Sequence, residues 1–135
     1  MPILPALELD HVGIAVAGDG SSPLAAALGA PDLTLAPMPS GVAVGRFGPG
    51  ERIELVAPAR AGNPIEHFLE RRGPGLHHIA LRVDEPLMTV VSRLSAEGIE
   101  AVGPIEPSSD GRPCVFLHPS TTGGVLVELI EGARP

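Results

Sequence analysis

Two histidines and two glutamates occupy matching places in the two halves of the sequence. His11 begins the run His-Val-Gly-Ile-Ala-Val, and His78 begins the similar run His-Ile-Ala-Leu-Arg-Val. Further along each half, Glu54 lies within Arg-Ile-Glu-Leu-Val and Glu128 within Leu-Val-Glu-Leu-Ile. A carboxylate inside a half-buried apolar strand is costly unless it is paired or bound to a cation. Because each half supplies one imidazole and one carboxylate, the pattern predicts a divalent metal site with four ligands.

The duplicated placement is the reason for preferring a metal site over a packing role. An isolated histidine in a strand is more often a core residue, and an isolated glutamate usually lies on a solvated face. Imidazole and carboxylate ligands together suit zinc, cobalt, nickel, iron or manganese better than calcium or magnesium. His77 precedes His78, and neighbouring residues of a strand point to opposite faces. Since the repeat aligns His11 with His78, we expect His77 to pack away from the site.

Two modules with the same order of elements are needed to position these residues. Alternating apolar residues and turn signals predict strands at 7–16, 33–36, 42–47, 52–57, 76–83, 100–102, 113–117 and 125–130, with helices at 22–28, 63–72 and 86–97. Each half reads as strand, helix and three strands, which predicts an α+β fold of two βαβββ modules. We expect a single domain over 1–135, with modules at about 7–58 and 76–131 joined by a linker helix at 63–72.

Composition excludes several classes of function. The net charge of −7 and the 2% aromatic content argue against binding to nucleic acid. All nine basic residues are arginine, which excludes a P-loop lysine, a Schiff-base lysine and a lysine general base. No apolar run reaches the roughly 20 residues that span a bilayer, so we expect no membrane association. The lone Cys114 cannot form an internal disulfide, and we expect a cytoplasmic protein.

Longer segments carry a family resemblance. Residues 10–16, 52–58, 63–69, 71–73, 75–80, 116–119 and 123–129 resemble, in order, the vicinal oxygen chelate superfamily and, within it, the methylmalonyl-CoA epimerase family. The resemblance implies a glyoxalase-like fold, in which the two modules form a half-barrel around a metal site. It makes His11, Glu54, His78 and Glu128 the metal ligands and implies no other cofactor. It also places Glu128 as the residue that transfers the proton.

The resemblance implies epimerisation of (2R)- and (2S)-methylmalonyl-CoA through an enediolate. The proton next to a thioester is a poor acid, and a bound cation stabilises the oxyanion that forms when a carboxylate removes it. Two departures from the family pattern stand out. Val44 occupies the place where some members carry a second glutamate base, and Ser120 replaces the usual lysine. The second acid or base is therefore unassigned.

The expected partners are an acyl-CoA substrate and a second copy of the chain. A CoA ligand requires positive charge, for which Arg46, Arg71, Arg72 and Arg112 are candidates. The superfamily commonly dimerises, and exposed module edges favour pairing, so we expect a homodimer.

Two other functions are compatible with parts of the sequence. A glyoxalase I-like lactoylglutathione lyase is the first, because its ligand set is also two histidines and two glutamates. A metal-free protein of the superfamily that binds small molecules is the second. Such proteins use aromatic pockets. This chain has three Phe and no Trp or Tyr, which argues against a pocket of that kind.

Overall fold

The computed structural model describes residues 4, 7–17 and 23–135 and contains the predicted order of elements twice. The elements are β1 (Glu8–Ala15), α1 (Pro23–Ala27), β2 (Ala36–Pro37), β3 (Val42–Phe47), β4 (Ile53–Pro58), α2 (Pro64–Arg72), β5 (Gly75–Val83), α3 (Leu87–Ala96), β6 (Ala101–Pro107), β7 (Pro113–Leu117) and β8 (Val127–Glu131). Short 3-10 helices span Pro49–Glu51 and Pro119–Thr121. Two βαβββ modules, as the sequence predicts, make up the chain.

Contacts between residues divide the chain into two compact units. The N-terminal unit comprises residues 11–77, and the C-terminal unit comprises residues 78–135 with the first ten residues. The divisions fall inside strands, between Asp10 and His11 in β1 and between His77 and His78 in β5. Helix α2, which the sequence suggests is a linker, belongs to the N-terminal unit. The organisation of all 135 residues as a single domain stays a prediction.

The N-terminal unit is built on strands in the order β2-β3-β4-β1. Strand β3 runs antiparallel to β4, whereas β1 runs parallel to β4 and places Gly13 opposite Glu54. Each face of the sheet carries its own core. One cluster contains Val16, Ala25, Phe47, Leu55 and Ala57, and the other contains Ala15, Val56, Ile65 and Phe68. Since side chains alternate along a strand, His11 and Glu54 share the face that α2 covers.

Local signals explain why α2 forms where the sequence predicts it. The side chain of Asn63 accepts a hydrogen bond of 2.8 Å from the backbone N–H of Ile65, which caps the first turn. Pro64 follows at the first helical position, where its missing N–H costs nothing. Gly73 ends the helix with a positive φ of 74°, a conformation that glycine adopts without strain.

The C-terminal unit repeats the arrangement with strands in the order β5-β8-β7-β6. Strand β5 runs parallel to β8, placing Ala80 opposite Glu128, while β7 runs antiparallel to β8 and β6. Helix α3 covers one face through a core of Val83, Leu87, Val90, Leu94, Val115, Leu117, Val127 and Leu129. By alternation, His78 and Glu128 lie on the opposite face, together with Phe116.

Strand β6 differs most from its prediction. The prediction of a strand over 100–102 is too short, because the strand runs from Ala101 to Pro107. Its register against β7 shifts between Val102 and Glu106, which indicates a bulge, and Gly103 within it has a φ of 72°. Gly103 and Pro104 look like a turn in the sequence, but an edge strand tolerates proline and a bulge accommodates glycine.

Helix α1 is shorter than predicted, and Ser22, its expected N-cap, lies outside the described residues. Among the helices at residues 23–135, none has the length and apolar composition that crossing a bilayer requires.

Candidate metal centre

The N-terminal unit places His11 beside Glu54. The Nε2 atom of His11 lies 3.5 Å from Oε1 of Glu54, and the two residues are 1% and 5% exposed. This distance is long for a hydrogen bond. Two donors that each lie about 2.1 Å from one ion, at a tetrahedral angle, are separated by about 3.4 Å. The buried donors of this pair therefore fit two ligands of a common metal ion.

An arginine holds the other oxygen of Glu54. The Nε–H of Arg46 donates to Oε2 of Glu54 over 3.1 Å, and the Arg46 side chain is 12% exposed. The contact follows from strand register, because Arg46 in β3 is the direct partner of Glu54 in β4. The guanidinium thus compensates the charge of a nearly buried carboxylate.

The C-terminal unit contains an equivalent pair. The Nε2 atom of His78 lies 3.7 Å from Oε1 of Glu128, and both residues are buried. In each unit the histidine comes two residues before the residue that pairs with the glutamate, namely Gly13 for Glu54 and Ala80 for Glu128. The same register therefore produces the same pairing twice, as the sequence repeat predicts.

The residue opposite Glu128 differs in kind from its counterpart. Phe116 in β7 is the direct partner of Glu128 in β8. The Phe116 ring also meets the imidazole of His78 edge to face, with centroids 5.6 Å apart. An apolar ring therefore lies where the N-terminal unit has a guanidinium.

The remaining histidines have roles in packing, surface contacts and capping. His77 packs against Phe68 of α2, with ring centroids 5.0 Å apart and planes at 79°. His67 is largely exposed and lies 3.9 Å from Glu70. His118 caps the short helix that follows β7, since its Nδ1 accepts from the backbone N–H of Ser120 over 3.2 Å. These contacts support a packing role for His77, a solvated position for His67 and a loop-stabilising role for His118.

Sequence reasoning missed a buried ion cluster around Arg112. Its guanidinium donates to both oxygens of Asp10 at 2.8 and 3.1 Å, to Asp110, and to the backbone oxygen of Gly132. Arg112 and Asp10 are 7% and 6% exposed. Because the two residues are 102 positions apart in the sequence, no local pattern predicts the pair. Because its guanidinium is enclosed among carboxylates, Arg112 is a structural residue and a poor candidate for binding a CoA phosphate.

Burial and hydrogen bonding act in opposite directions on Asp110. Burial raises the pKa of its carboxyl, but hydrogen bonds from Arg112 and Ser108 outweigh that effect. The pKa of Asp110 consequently lies well below its ordinary value. The group is held ionised as part of the fold.

Comparisons with known proteins agree with this architecture. A family model described as the Glyoxalase/Bleomycin resistance protein/Dioxygenase superfamily matches residues 10–116. A mitochondrial methylmalonyl-CoA epimerase of Dictyostelium discoideum is 43% identical over 82 residues, which are 59% of this chain and 49% of that protein. The mouse protein of the same name is 34% identical over 134 residues, covering 95% of this chain and 75% of its own. The match thus spans about half of the Dictyostelium relative and three quarters of the mouse relative.

A solved structure shares the fold over almost the whole chain. The crystal structure of methylmalonyl-CoA epimerase from Mycobacterium tuberculosis superimposes with a TM-score of 0.77 at 32% sequence identity, over 93% of this chain and 87% of that one. The glyoxalase-like fold that the sequence predicts is therefore confirmed. This chain belongs to the glyoxalase/bleomycin resistance protein/dioxygenase superfamily, and its resemblance to the methylmalonyl-CoA epimerases within that superfamily is confirmed.

Proposed function

We propose that this protein is an isomerase that interconverts the 2R and 2S forms of methylmalonyl-CoA by moving the proton at C2. Relatives that carry this name, at 34–43% identity, support the substrate class. The observation that carries the proposal is the pair of buried His–Glu contacts in equivalent register, because a duplicated set of such donors suits a metal-assisted reaction.

We further propose His11, Glu54, His78 and Glu128 as the ligands of one divalent ion. The two imidazoles and two carboxylates suit cobalt, zinc, nickel, iron or manganese. Burial of all four side chains supports this proposal, since buried carboxylates require positive charge beside them and a divalent ion adds to the single charge of Arg46. A divalent ion held by these residues would act as a Lewis acid, which would make the C2 proton next to the thioester more acidic.

Glu128 is the proposed residue that accepts the C2 proton. Its Oε1 faces His78, so we assign proton transfer to Oε2. Phe116 is the strand partner of Glu128 and packs edge to face against His78, so an aromatic ring lies beside the pair. Positioned proton transfer of this kind contributes about 10²–10⁴-fold to a rate.

The group that returns a proton to the opposite face of C2 is not residue 44. Val44 has no ionisable atom and packs against the cluster of Ala15, Val56, Ile65 and Phe68. Since Val44 lies opposite Val56 in the antiparallel pair of β3 and β4, this part of the sheet is apolar. A chain with no lysine and no tyrosine leaves carboxylates, histidines, hydroxyls or water for that role.

An assay of stereochemical conversion tests the proposal. The full chain is stripped with a chelator, reloaded with Co²⁺ and supplied with (2S)-methylmalonyl-CoA, and the 2R form is measured by chiral chromatography. We expect conversion to an equilibrium mixture, loss of conversion on chelation, and recovery on adding Co²⁺. Full activity in the stripped protein would contradict the role of the metal.

The same preparation separates the epimerase from its alternative. A glyoxalase I-like lactoylglutathione lyase would act on the hemithioacetal of methylglyoxal and glutathione. Turnover of that compound without conversion of methylmalonyl-CoA would overturn the epimerase proposal. A homodimeric state and a cytoplasmic location are further proposals that rest on the sequence, and light scattering at several protein concentrations tests the first.

A further inference from the structure

The two oxygens of Glu54 face two different groups. Oε1 lies 3.5 Å from Nε2 of His11, and Oε2 accepts the hydrogen bond from Nε of Arg46. The Glu54 side chain is 7% exposed, so both contacts are made away from bulk water. Held in this way, the Glu54 carboxylate presents Oε1, and not Oε2, towards His11.

The backbone fixes the contact as much as the side chains do. Arg46 and Glu54 are direct partners in the β3–β4 pairing, and the 3-10 turn over Pro49–Glu51 connects the two strands. Direct partners on one face of an antiparallel pair have Cβ atoms about 4.5–5.5 Å apart. The guanidinium therefore reaches the carboxylate without leaving the sheet face.

The equivalent position in the C-terminal unit identifies what Arg46 adds. Phe116 lies opposite Glu128 as Arg46 lies opposite Glu54, so the two glutamates differ in the charge of their strand partner. A phenyl ring can pack against a carboxylate but cannot donate a charge-assisted hydrogen bond.

We propose that Arg46 is a positioning residue that holds Oε2 of Glu54 and so restricts Glu54 to metal binding through Oε1. The inference rests on the proposed metal site and extends it, because it gives the two glutamates different duties. Glu54 serves as an oriented ligand, and Glu128 serves as a ligand that also transfers the proton. Arg46 acts through Glu54 and does not itself act on the substrate.

Metal affinity measured by chelator competition tests the inference without using activity. The Co²⁺ dissociation constant is measured for wild type, Arg46→Met and Arg46→Lys. Loss of a hydrogen-bonding partner of a metal ligand typically weakens metal binding by about 10–100-fold, and we expect that range for Arg46→Met. Arg46→Lys keeps the charge and restores part of the affinity.

A second background shows whether Arg46 acts through Glu54. In Glu54→Ala protein, Arg46→Met is expected not to weaken Co²⁺ binding further, because no side-chain oxygen is left at position 54 to orient. Equal weakening in both backgrounds would overturn the inference, and so would an unchanged or tighter dissociation constant in the wild-type background. If the Arg46–Glu54 pair were purely structural, Arg46→Met would lower the unfolding temperature of the metal-free protein. The Co²⁺ dissociation constant of the folded protein would then be unchanged.

The visible absorption of bound Co²⁺ gives an independent readout. The d–d bands respond to ligand number and geometry, so a change of Glu54 from one-oxygen to two-oxygen binding alters their intensity. We expect Arg46→Met to change these bands and Arg46→Lys to retain the wild-type bands more closely. Wild-type protein that binds no Co²⁺ would instead refute the underlying metal proposal, whereas normal wild-type binding with identical spectra in all variants would refute only the role of Arg46.

Discussion

The two units contain the same His–Glu pair in different surroundings. His11 and Glu54 are 3.5 Å apart, and His78 and Glu128 are 3.7 Å apart. Strand register gives both pairs their geometry, since a parallel strand partner aligns each histidine with its glutamate. The adjacent antiparallel strand then supplies Arg46 to one carboxylate and Phe116 to the other.

This difference is the basis for the two chemical roles that we propose for the duplicated module. Pairing geometry depends on the backbone and is copied with the fold, whereas the charge beside each carboxylate depends on one side chain of a neighbouring strand. A guanidinium at 3.1 Å holds one oxygen of Glu54 in a charge-assisted hydrogen bond. The aromatic ring of Phe116 in the equivalent place cannot donate such a bond to Glu128.

Removing a histidine is the most severe way to disturb the comparison. We expect His78→Ala and His11→Ala each to weaken Co²⁺ binding by more than about 100-fold, beyond the usual cost of losing an outer hydrogen-bonding partner. Epimerisation should be lost with the metal. His77→Ala is the matched control, because His77 packs against Phe68 and should leave Co²⁺ content near the wild-type value. Loss of metal in His77→Ala with retention in His78→Ala would show that the assigned register is wrong.

A second contrast concerns one arginine of each unit. Arg46 compensates a proposed metal ligand, whereas Arg112 binds Asp10 and Asp110. Replacing Arg112 by methionine removes the shortest ion pairs of both carboxylates and leaves Arg134 at 3.7 Å from Asp10. Breaking a buried pair in this way costs about 3–5 kcal/mol. We expect Arg112→Met to lower the free energy of unfolding by that amount in urea titrations. A loss below about 1 kcal/mol, as for a surface ion pair, would show that the cluster is solvated.

Acid should weaken the Arg112 cluster in a defined pH range. The folded-state pKa of Asp110 is lowered, so its contribution to stability is present above the unfolded value of about 3.9 and is lost as the pH falls. Asp110→Asn removes this contribution at every pH. We therefore expect the wild-type advantage in unfolding free energy to be constant near neutral pH and to shrink below about pH 4. An advantage that grows as the pH falls would contradict the assigned direction of the pKa shift.

The sequence predicts those features that repeat or that depend on nearby residues. The βαβββ order follows from alternating apolar runs, and α2 follows from Asn63, Pro64 and Gly73, which lie at its own ends. The repeat also predicts which histidine belongs with which glutamate. These signals are local or duplicated, so they can be recognised without knowledge of the tertiary structure.

Side-chain contacts between neighbouring strands, or between residues far apart in the sequence, cannot be predicted from local patterns. Arg46 meets Glu54 only because of the β3–β4 register, and Arg112 meets Asp10 across 102 residues. The sequence therefore suggests Arg46 and Arg112 as binders of a CoA ligand, whereas the structure pairs both with carboxylates of the chain. The predicted strand over 100–102 is shorter than β6 for a related reason, since Gly103 and Pro104 indicate a turn unless a bulge at a sheet edge accommodates them.

The most direct test of the different roles of Glu54 and Glu128 is the rate of deuterium incorporation at C2 of methylmalonyl-CoA in D₂O. Matched Glu54→Gln and Glu128→Gln variants are compared at saturating Co²⁺, so that each has lost one carboxylate and both carry metal. We predict a loss of about 10²–10⁴-fold for Glu128→Gln, the usual contribution of a general base, and a much smaller loss for Glu54→Gln. Equal losses in the two variants, or a larger loss in Glu54→Gln, would contradict the assignment.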